Sequence, residues 1–160
     1  MRPMAENEPM TGGCQCGSVR FRASRLGRPS ICHCRMCQKA FGSFFGPFVT
    51  ADHAHLEWTR GVPTLFRSSA NVRRGFCNKC GTPISYHMKE HIELAIGAFD
   101  HPELLEPQIQ VNYKKRLPWI DRLFDKPVLD DPELEARHAA IESWQHPDHD
   151  TDQWPPEDEA

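Results

Sequence analysis

The sequence predicts a mainly β domain of two small sheets, extended at its C-terminal end by a helix and an acidic tail. Two features predict this. Between Val19 and Val111 the apolar residues come in short bursts separated by glycine, proline and polar residues, and no window sustains the helical period. After Trp119 the character changes to a helix-start signature followed by a run of acids and prolines.

Taken in order, Val19-Arg20-Phe21-Arg22-Ala23 alternates apolar and basic residues, as a half-buried strand does. Phe44 to Thr50, Leu56 to Thr59, Val72 to Phe76, Ile84 to Tyr86, Ile92 to Ile96 and Ile109 to Val111 follow at strand length. Strands this short bury a face only by pairing, hence the expectation of two small sheets. Asp131-Pro132-Glu133 supplies an N-cap, a first-turn proline and a first-turn acid, while Leu134, Ile141 and Trp144 recur on one side. A helix is therefore expected from Pro132 to Trp144. From His146 to Ala160 the chain is acidic and proline-bearing with a lone Trp154, the composition of a disordered tail. The expected organisation is a β domain over 11–120, a helical extension over 121–145 and a disordered acidic tail over 146–160.

Composition narrows the class. At 160 residues the chain suffices for one domain with a proper core. With 39% hydrophobic and 26% charged residues, a soluble globular protein is expected. Apolar runs such as Phe44 to Val49 are too short to span a bilayer, and the polar, acidic N-terminus has no apolar signal region. A cytoplasmic location without membrane partners follows as an expectation. From Asp121 onward thirteen acids face three bases, a net of −10, whereas the first 120 residues hold nine acids and sixteen bases, a net of +7. A basic body suits an anionic partner, although the bases are scattered and can equally be solvated surface.

Seven cysteines are the strongest chemical signal. Cytosolic thiols stay reduced and the number is odd, so a disulfide framework explains them poorly, whereas metal binding uses most of them at once. They fall into three clusters: Cys14-Gln15-Cys16, Cys32-His33-Cys34-Arg35-Met36-Cys37, and Cys77-Asn78-Lys79-Cys80. Thiolates this close in sequence can reach one ion about 2.3 Å away from a single turn, and soft sulfur in such numbers favours zinc. Gly81 allows a tight left-handed turn that aims backbone N–H groups at the sulfurs. Spacing admits two partitions. Cys14, Cys16, Cys77 and Cys80 can close one site and leave Cys32, Cys34 and Cys37 on a second ion with one position free. Alternatively, Cys34, Cys37, Cys77 and Cys80 can form a zinc ribbon.

Gly12-Gly13-Cys14-Gln15-Cys16-Gly17, Cys32-His33-Cys34-Arg35-Met36-Cys37-Gln38-Lys39 with Gly42-Ser43, and Phe76-Cys77-Asn78-Lys79-Cys80-Gly81-Thr82-Pro83 resemble the glutathione-dependent formaldehyde-activating enzymes. That family also takes in relatives of centromere protein V. The resemblance runs from Thr11 to Trp119. It implies a zinc-bearing, mainly β fold with two ions per chain: a structural zinc on Cys14, Cys16, Cys77 and Cys80, and a second zinc on Cys32, Cys34 and Cys37. It also implies carbon–sulfur lyase chemistry, with glutathione or another small thiol adding to formaldehyde. Many members carry a histidine between the last strand's proline and a closing tryptophan, and here Pro107 leads to Trp119 without one.

On this reading the catalytic group is the ion on Cys32, Cys34 and Cys37, whose free position accepts a thiol and holds it deprotonated. A fourth thiolate adds negative charge, so Arg35 and Lys39 are candidates for meeting a substrate carboxylate, and Ser43 for donating a hydrogen bond. His33, gripped between ligands, is expected to point away from the metal. His87 and His91 lie in strand-and-turn sequence, where a four-residue spacing does not give a shared face. Phe41, Phe44, Phe45 and Phe48 can wall a pocket or fill the core. The contrasting function is a non-catalytic zinc module whose arginines (Arg20, Arg22, Arg25, Arg28, Arg73, Arg74) contact protein or phosphate. The acidic tail competes for such a basic surface and argues against nucleic acid.

Overall fold

The computed structural model describes residues 9–154. Within them ten strands form two sheets. In chain order the elements are β1 (Met10–Gly13), β2 (Arg20–Ala23), β3 (Ser30–Cys32), α1 (Arg35–Phe41), β4 (Gly46–Ala51), β5 (Leu56–Arg60), β6 (Thr64–Arg67), β7 (Arg73–Phe76), β8 (Pro83–His87), β9 (Ile92–Ala95), β10 (Ile109–Val111) and α2 (Pro132–Ala139). The small sheet runs β1-β2-β5 and is antiparallel. The large sheet runs β10-β3-β4-β9-β8-β7-β6, with β10 and β3 as its parallel pair. The two-sheet, mainly β class read from the sequence is the observed one.

The core lies between the sheets. Phe21 from the small sheet and Val49, Ile84 and Leu94 from the large one are fully buried. Each such side chain contributes roughly 2 kcal/mol through apolar burial. Phe21 meets Trp58 and Phe99 edge to face, at 6.0 and 5.0 Å between centroids. The backbone of β1 approaches this cluster so closely that a Cβ at Gly12 would fall 2.4 Å from the Ala98 carbonyl oxygen. That approach brings Cys14, just beyond β1, against the core.

Several elements lack the expected periodic signal. β1 ends in two glycines, and β3 has one aliphatic residue in three. β6 is an edge strand with all four residues exposed, so no buried face marks it in the sequence. α1 corrects the expectation of no helix before Trp119. Its buried residues are Cys37 and Gln38, so no apolar stripe marks it, and it packs through the cysteine cluster instead. Cys34 caps its start and Gly42, at φ +57°, closes its end.

α2 begins as predicted, with the Asp131 carboxylate accepting from the N–H groups of Glu133 and Leu134 at 3.0 and 3.1 Å. It stops at Ala139 rather than Trp144. None of its residues is buried, and Ile141 and Trp144 remain exposed, so no packing sustains further turns. Residues 146–154, read from composition as a disordered tail, lie against the body; 155–160 fall outside the described residues. Sequence composition weighs acids and prolines but not the basic partners that hold them. Among the described residues no helix is long and apolar enough to cross a membrane.

Candidate metal centres

Cys14 and Cys16 sit on a turn just after β1, where Gly17 at φ +73° donates its N–H to the Cys14 carbonyl at 3.0 Å. Cys77 and Cys80 sit on the turn between β7 and β8. There Gly81 at φ +80° donates to the Cys77 carbonyl at 2.8 Å, and Cys77 donates to Thr82 at 3.0 Å. The two turns are joined by the Gln15 N–H, which donates to the Thr82 hydroxyl at 3.0 Å. All four sulfurs therefore converge, lying within 4.8 Å of one another. Cys14 and Cys16 sulfurs are 3.6 Å apart, and Cys16 and Cys77 sulfurs 3.8 Å. Sulfurs at the corners of a tetrahedron around a zinc ion are separated by about 3.8 Å, so the donor set fits such an ion closely. The Val19 N–H also donates to the Cys14 sulfur at 3.3 Å, a bond that stabilises the thiolate form.

Metal-free, these thiols titrate unevenly. Burial pushes Cys14 up to about 12. Burial also opposes ionisation of Cys80, but hydrogen bonds from the Thr82 hydroxyl and N–H and from the Cys16 N–H outweigh it and bring the thiol down to about 6. A bound cation removes the disparity by stabilising every sulfur as thiolate.

Cys32, Cys34 and Cys37 form the second cluster, again with all sulfurs within 4.8 Å. Cys32 ends β3, Cys34 is the N-cap of α1, and Cys37 is the helix's third residue. The Cys37 N–H donates to the Cys34 sulfur at 3.4 Å. Two distant residues complete the surroundings. Asn112, in a left-handed conformation after β10, donates its side-chain amide to the Cys32 sulfur at 3.3 Å. Arg74 of β7 donates from Nη2 to the Cys37 sulfur at 3.5 Å. A hydrogen bond from the Cys37 thiol, with help from the Cys34 N–H and Asn112, overcomes burial and lowers Cys32 to about 5. Cys37 moves the other way, because bonding to Cys32 and burial both hold its proton. Three sulfurs leave a tetrahedral ion one further ligand position, the reactive rather than the structural pattern.

The geometry thus groups the cysteines four and three and separates Cys34 and Cys37 from Cys77 and Cys80, which excludes the ribbon partition. Arg35, Lys39 and Ser43 are exposed, on α1 and just beyond its end. Arg35 donates to the Gln38 side chain at 3.3 Å, and the Ser43 N–H donates to the Gln38 carbonyl at 3.1 Å. His33 does point away from the sulfurs but is buried, with Nε2 bonded to the Gln110 side chain at 2.8 Å and its ring edge-on to Phe45 and Tyr113. Phe48 is buried against Phe41, whereas Phe44 is exposed and stacks edge-on to Trp119. Arg74 and Asn112 were not read from the sequence as neighbours of the metal. Arg74 had appeared only as a possible phosphate contact, and nothing local marks either as a partner of sulfur.

A family profile described as glutathione-dependent formaldehyde-activating enzyme matches residues 9–115. The chain belongs to the glutathione-dependent formaldehyde-activating enzyme family. The resemblance carried by the three cysteine motifs is thereby borne out, and with it the family's small β fold. A crystal structure of a Rhodobacter sphaeroides protein is similar to the chain, with a TM-score of 0.54 at 22% identity, covering 64% of this chain and 100% of that one. At that identity it speaks for the fold. No curated protein matches the chain.

The C-terminal segment lies beyond the residues the family profile matches, yet it packs onto the first cluster. The His146 N–H donates to the Gln15 carbonyl at 2.8 Å, and the Trp154 indole donates to the Cys16 carbonyl at 3.1 Å. Arg60 donates to the Gly17 carbonyl at 3.1 Å and also to the Thr151 carbonyl. Beneath the segment, buried Arg20 makes a two-pronged pair with Asp100 at 2.6 and 2.7 Å and reaches Asp150 at 2.8 Å. The backbone of the Cys14–Gly17 turn is thus covered by residues 146–154.

Proposed function

We propose that the protein binds two zinc ions, a structural one on Cys14, Cys16, Cys77 and Cys80 and a reactive one on Cys32, Cys34 and Cys37. On this reading it is a cytoplasmic carbon–sulfur lyase that joins glutathione, or a similar small thiol, to formaldehyde or a related electrophile. The observation that carries it is the unequal donor count of the two sulfur clusters in a member of this family. When bound, zinc would supply a Lewis-acidic position at which an incoming sulfur is held as thiolate near neutral pH.

The chain's own residues would then set the rest of the site. Cys32, Cys34 and Cys37 fix the ion at the edge of β3 and α1. Asn112 and the Cys37 N–H orient two of those sulfurs by hydrogen bonding. Arg35 and Lys39, a turn apart on the exposed side of α1, would meet the carboxylates of a thiol such as glutathione. Ser43 is the candidate hydroxyl donor beside them. The overall change is addition of S–H across C=O. A C–S bond forms, the carbonyl electron pair passes to oxygen, oxygen takes up the thiol's proton, and nothing is oxidised.

The nucleic-acid reading loses support. Arg20, a member of the candidate phosphate-binding stretch, is buried against Asp100 and Asp150, and Arg22 also reaches Asp150. The deciding experiment counts metal per chain on protein purified without chelator, with and without excess glutathione or 2-mercaptoethanol. Two zinc ions are expected, with the environment of one altered by the thiol. A single ion, or two that ignore both glutathione and 2-mercaptoethanol, would rule the proposal out.

A further inference from the structure

Taking the second cluster as a thiol-accepting zinc site, we propose that Arg74 is its charge partner and the positioning residue that sets its affinity for a thiol. Arg74 is only 9% exposed. A guanidinium so deeply placed calls for an anion, because burying an unpaired charge is strongly unfavourable. Arg20, Arg22, Arg60 and Arg116 each pair with a carboxylate. Among the described residues Arg74 has no carboxylate partner. Its polar contacts are the Ser68 hydroxyl at 3.0 Å from Nε and the Cys37 sulfur at 3.5 Å from Nη2. The anion available to it is the sulfur cluster.

Its orientation is fixed from three sides. The guanidinium lies over the Tyr86 ring, 4.7 Å from the centroid, and Tyr86 is the residue paired with Arg74 across the β7–β8 ladder. Ser68 anchors Nε, and Nη2 reaches Cys37 of α1. Arg74 also lies three residues before Cys77, on the strand that leads into the Cys77–Cys80 turn. The hairpin that delivers two sulfurs to the first cluster therefore delivers one positive charge to the second.

The charge arithmetic gives this placement a role. Three thiolates on a divalent cation carry one net negative charge, which Arg74 cancels. A fourth thiolate then enters a neutral assembly rather than an anionic one. In a half-dry site that difference favours thiolate uptake. Lysine would keep the charge but lose both the Nε bond to Ser68 and the guanidinium's contact over Tyr86.

The test compares full-length protein with its Arg74→Gln and Arg74→Lys variants, each loaded with cobalt as a coloured stand-in for zinc. Glutathione and 2-mercaptoethanol are titrated separately while the thiolate-to-cobalt absorption is followed, and ion release to a chelator is timed. Arg74→Gln is expected to weaken binding of both thiols roughly tenfold and to loosen one ion of the two, with Arg74→Lys recovering part of the loss. Weakening confined to glutathione would overturn the proposal, since Arg74 would then be reading a carboxylate. Unchanged thiol affinity and ion release would overturn it as well, as would equal loss of both ions. If the unaltered protein takes up neither thiol, the lyase reading fails, while the chelator measurement still reports whether Arg74 steadies the second ion.

Discussion

The two cysteine clusters use the same donor atom and differ in how far apart in the chain their donors lie. The first gathers Cys14, Cys16, Cys77 and Cys80 from two remote turns, so an ion there cross-links β1 to the β7–β8 hairpin. The second takes Cys32, Cys34 and Cys37 from one stretch, so an ion there organises a strand end and one short helix. Closing a long loop restrains the unfolded chain far more than closing a short one. The surroundings differ in the same sense. The first cluster is overlaid by residues 146–154, whereas the second is bordered by the exposed side of α1. On the proposed reading, long reach with four donors would make a fastening, and short reach with three would leave a site that can react.

The sharpest way to break this comparison is to remove one sulfur from each cluster. Cys77→Ser takes a buried donor from the fastening, and structural zinc sites of this type contribute roughly 10 kcal/mol to folding. We expect that variant to lose its cooperative thermal transition in calorimetry and to retain neither ion. Cys34→Ser should instead release one ion and keep the transition, with loss of the N-cap interaction lowering stability by about 1 kcal/mol. Loss of both ions from Cys34→Ser would erase the distinction.

How much of this was legible in the sequence follows the same division. The candidate metal ligands announce themselves because sulfur chemistry is local: two cysteines on one turn are visible as a spacing. Strands such as β2 and β10 were legible because their residues carry an alternating or β-branched signal. α1 was not, since its buried residues are Cys37 and Gln38 and its caps are Cys34 and Gly42. Arg74 and Asn112 reach their sulfurs across 37 and 80 residues of chain, a separation no spacing rule spans. The tail's place was hidden for a related reason. Asp150 is stabilised by Arg20, 130 residues away, and composition alone reads it as solvated charge.

The covering of the first cluster can be tested by cutting it away. A chain ending at residue 145 loses the His146 and Trp154 bonds to the metal turn and the Asp150 carboxylate on buried Arg20. A handful of such bonds, one of them charged and partly buried, amounts to about 3 kcal/mol. The truncated protein should melt several degrees lower and release the first ion to a chelator faster, with the second ion's release unchanged. Gly17→Ala is a smaller perturbation of the same contact. Its Cβ would meet the His146 ring at 2.3 Å, and its φ of +73° disfavours any side chain, so about 1–2 kcal/mol should be lost. Equal acceleration of both ions by either change would mean that the segment steadies the whole domain rather than the first cluster.

The mildest expected effect is on the pH dependence of stability away from the sulfurs. Burial pushes the Asp100 carboxyl up, but the Arg20 pair and the Thr11 hydroxyl, bonded at 2.5 Å, outweigh it and hold the group below the ordinary carboxylate range. A depressed folded-state value means that the unfolded chain binds the proton more readily. The contribution is therefore fully present above the ordinary carboxylate range and is lost as pH falls through Asp100's lowered value. His87 adds in the same direction from higher pH. Burial, then the nearby His53 and Arg73, hold its ring neutral below the usual histidine range, so its contribution too is complete above that range and fades as pH falls. Thermal melts should show stability declining in two stages on acidification, with His87→Gln flattening the upper stage and Asp100→Asn the lower. Asp100→Asn also lowers the plateau, because it leaves Arg20 with only the tail's Asp150. A melt series in which Asp100→Asn leaves both the plateau and the acid stage unchanged would show that the buried pair under the tail contributes nothing to holding it down.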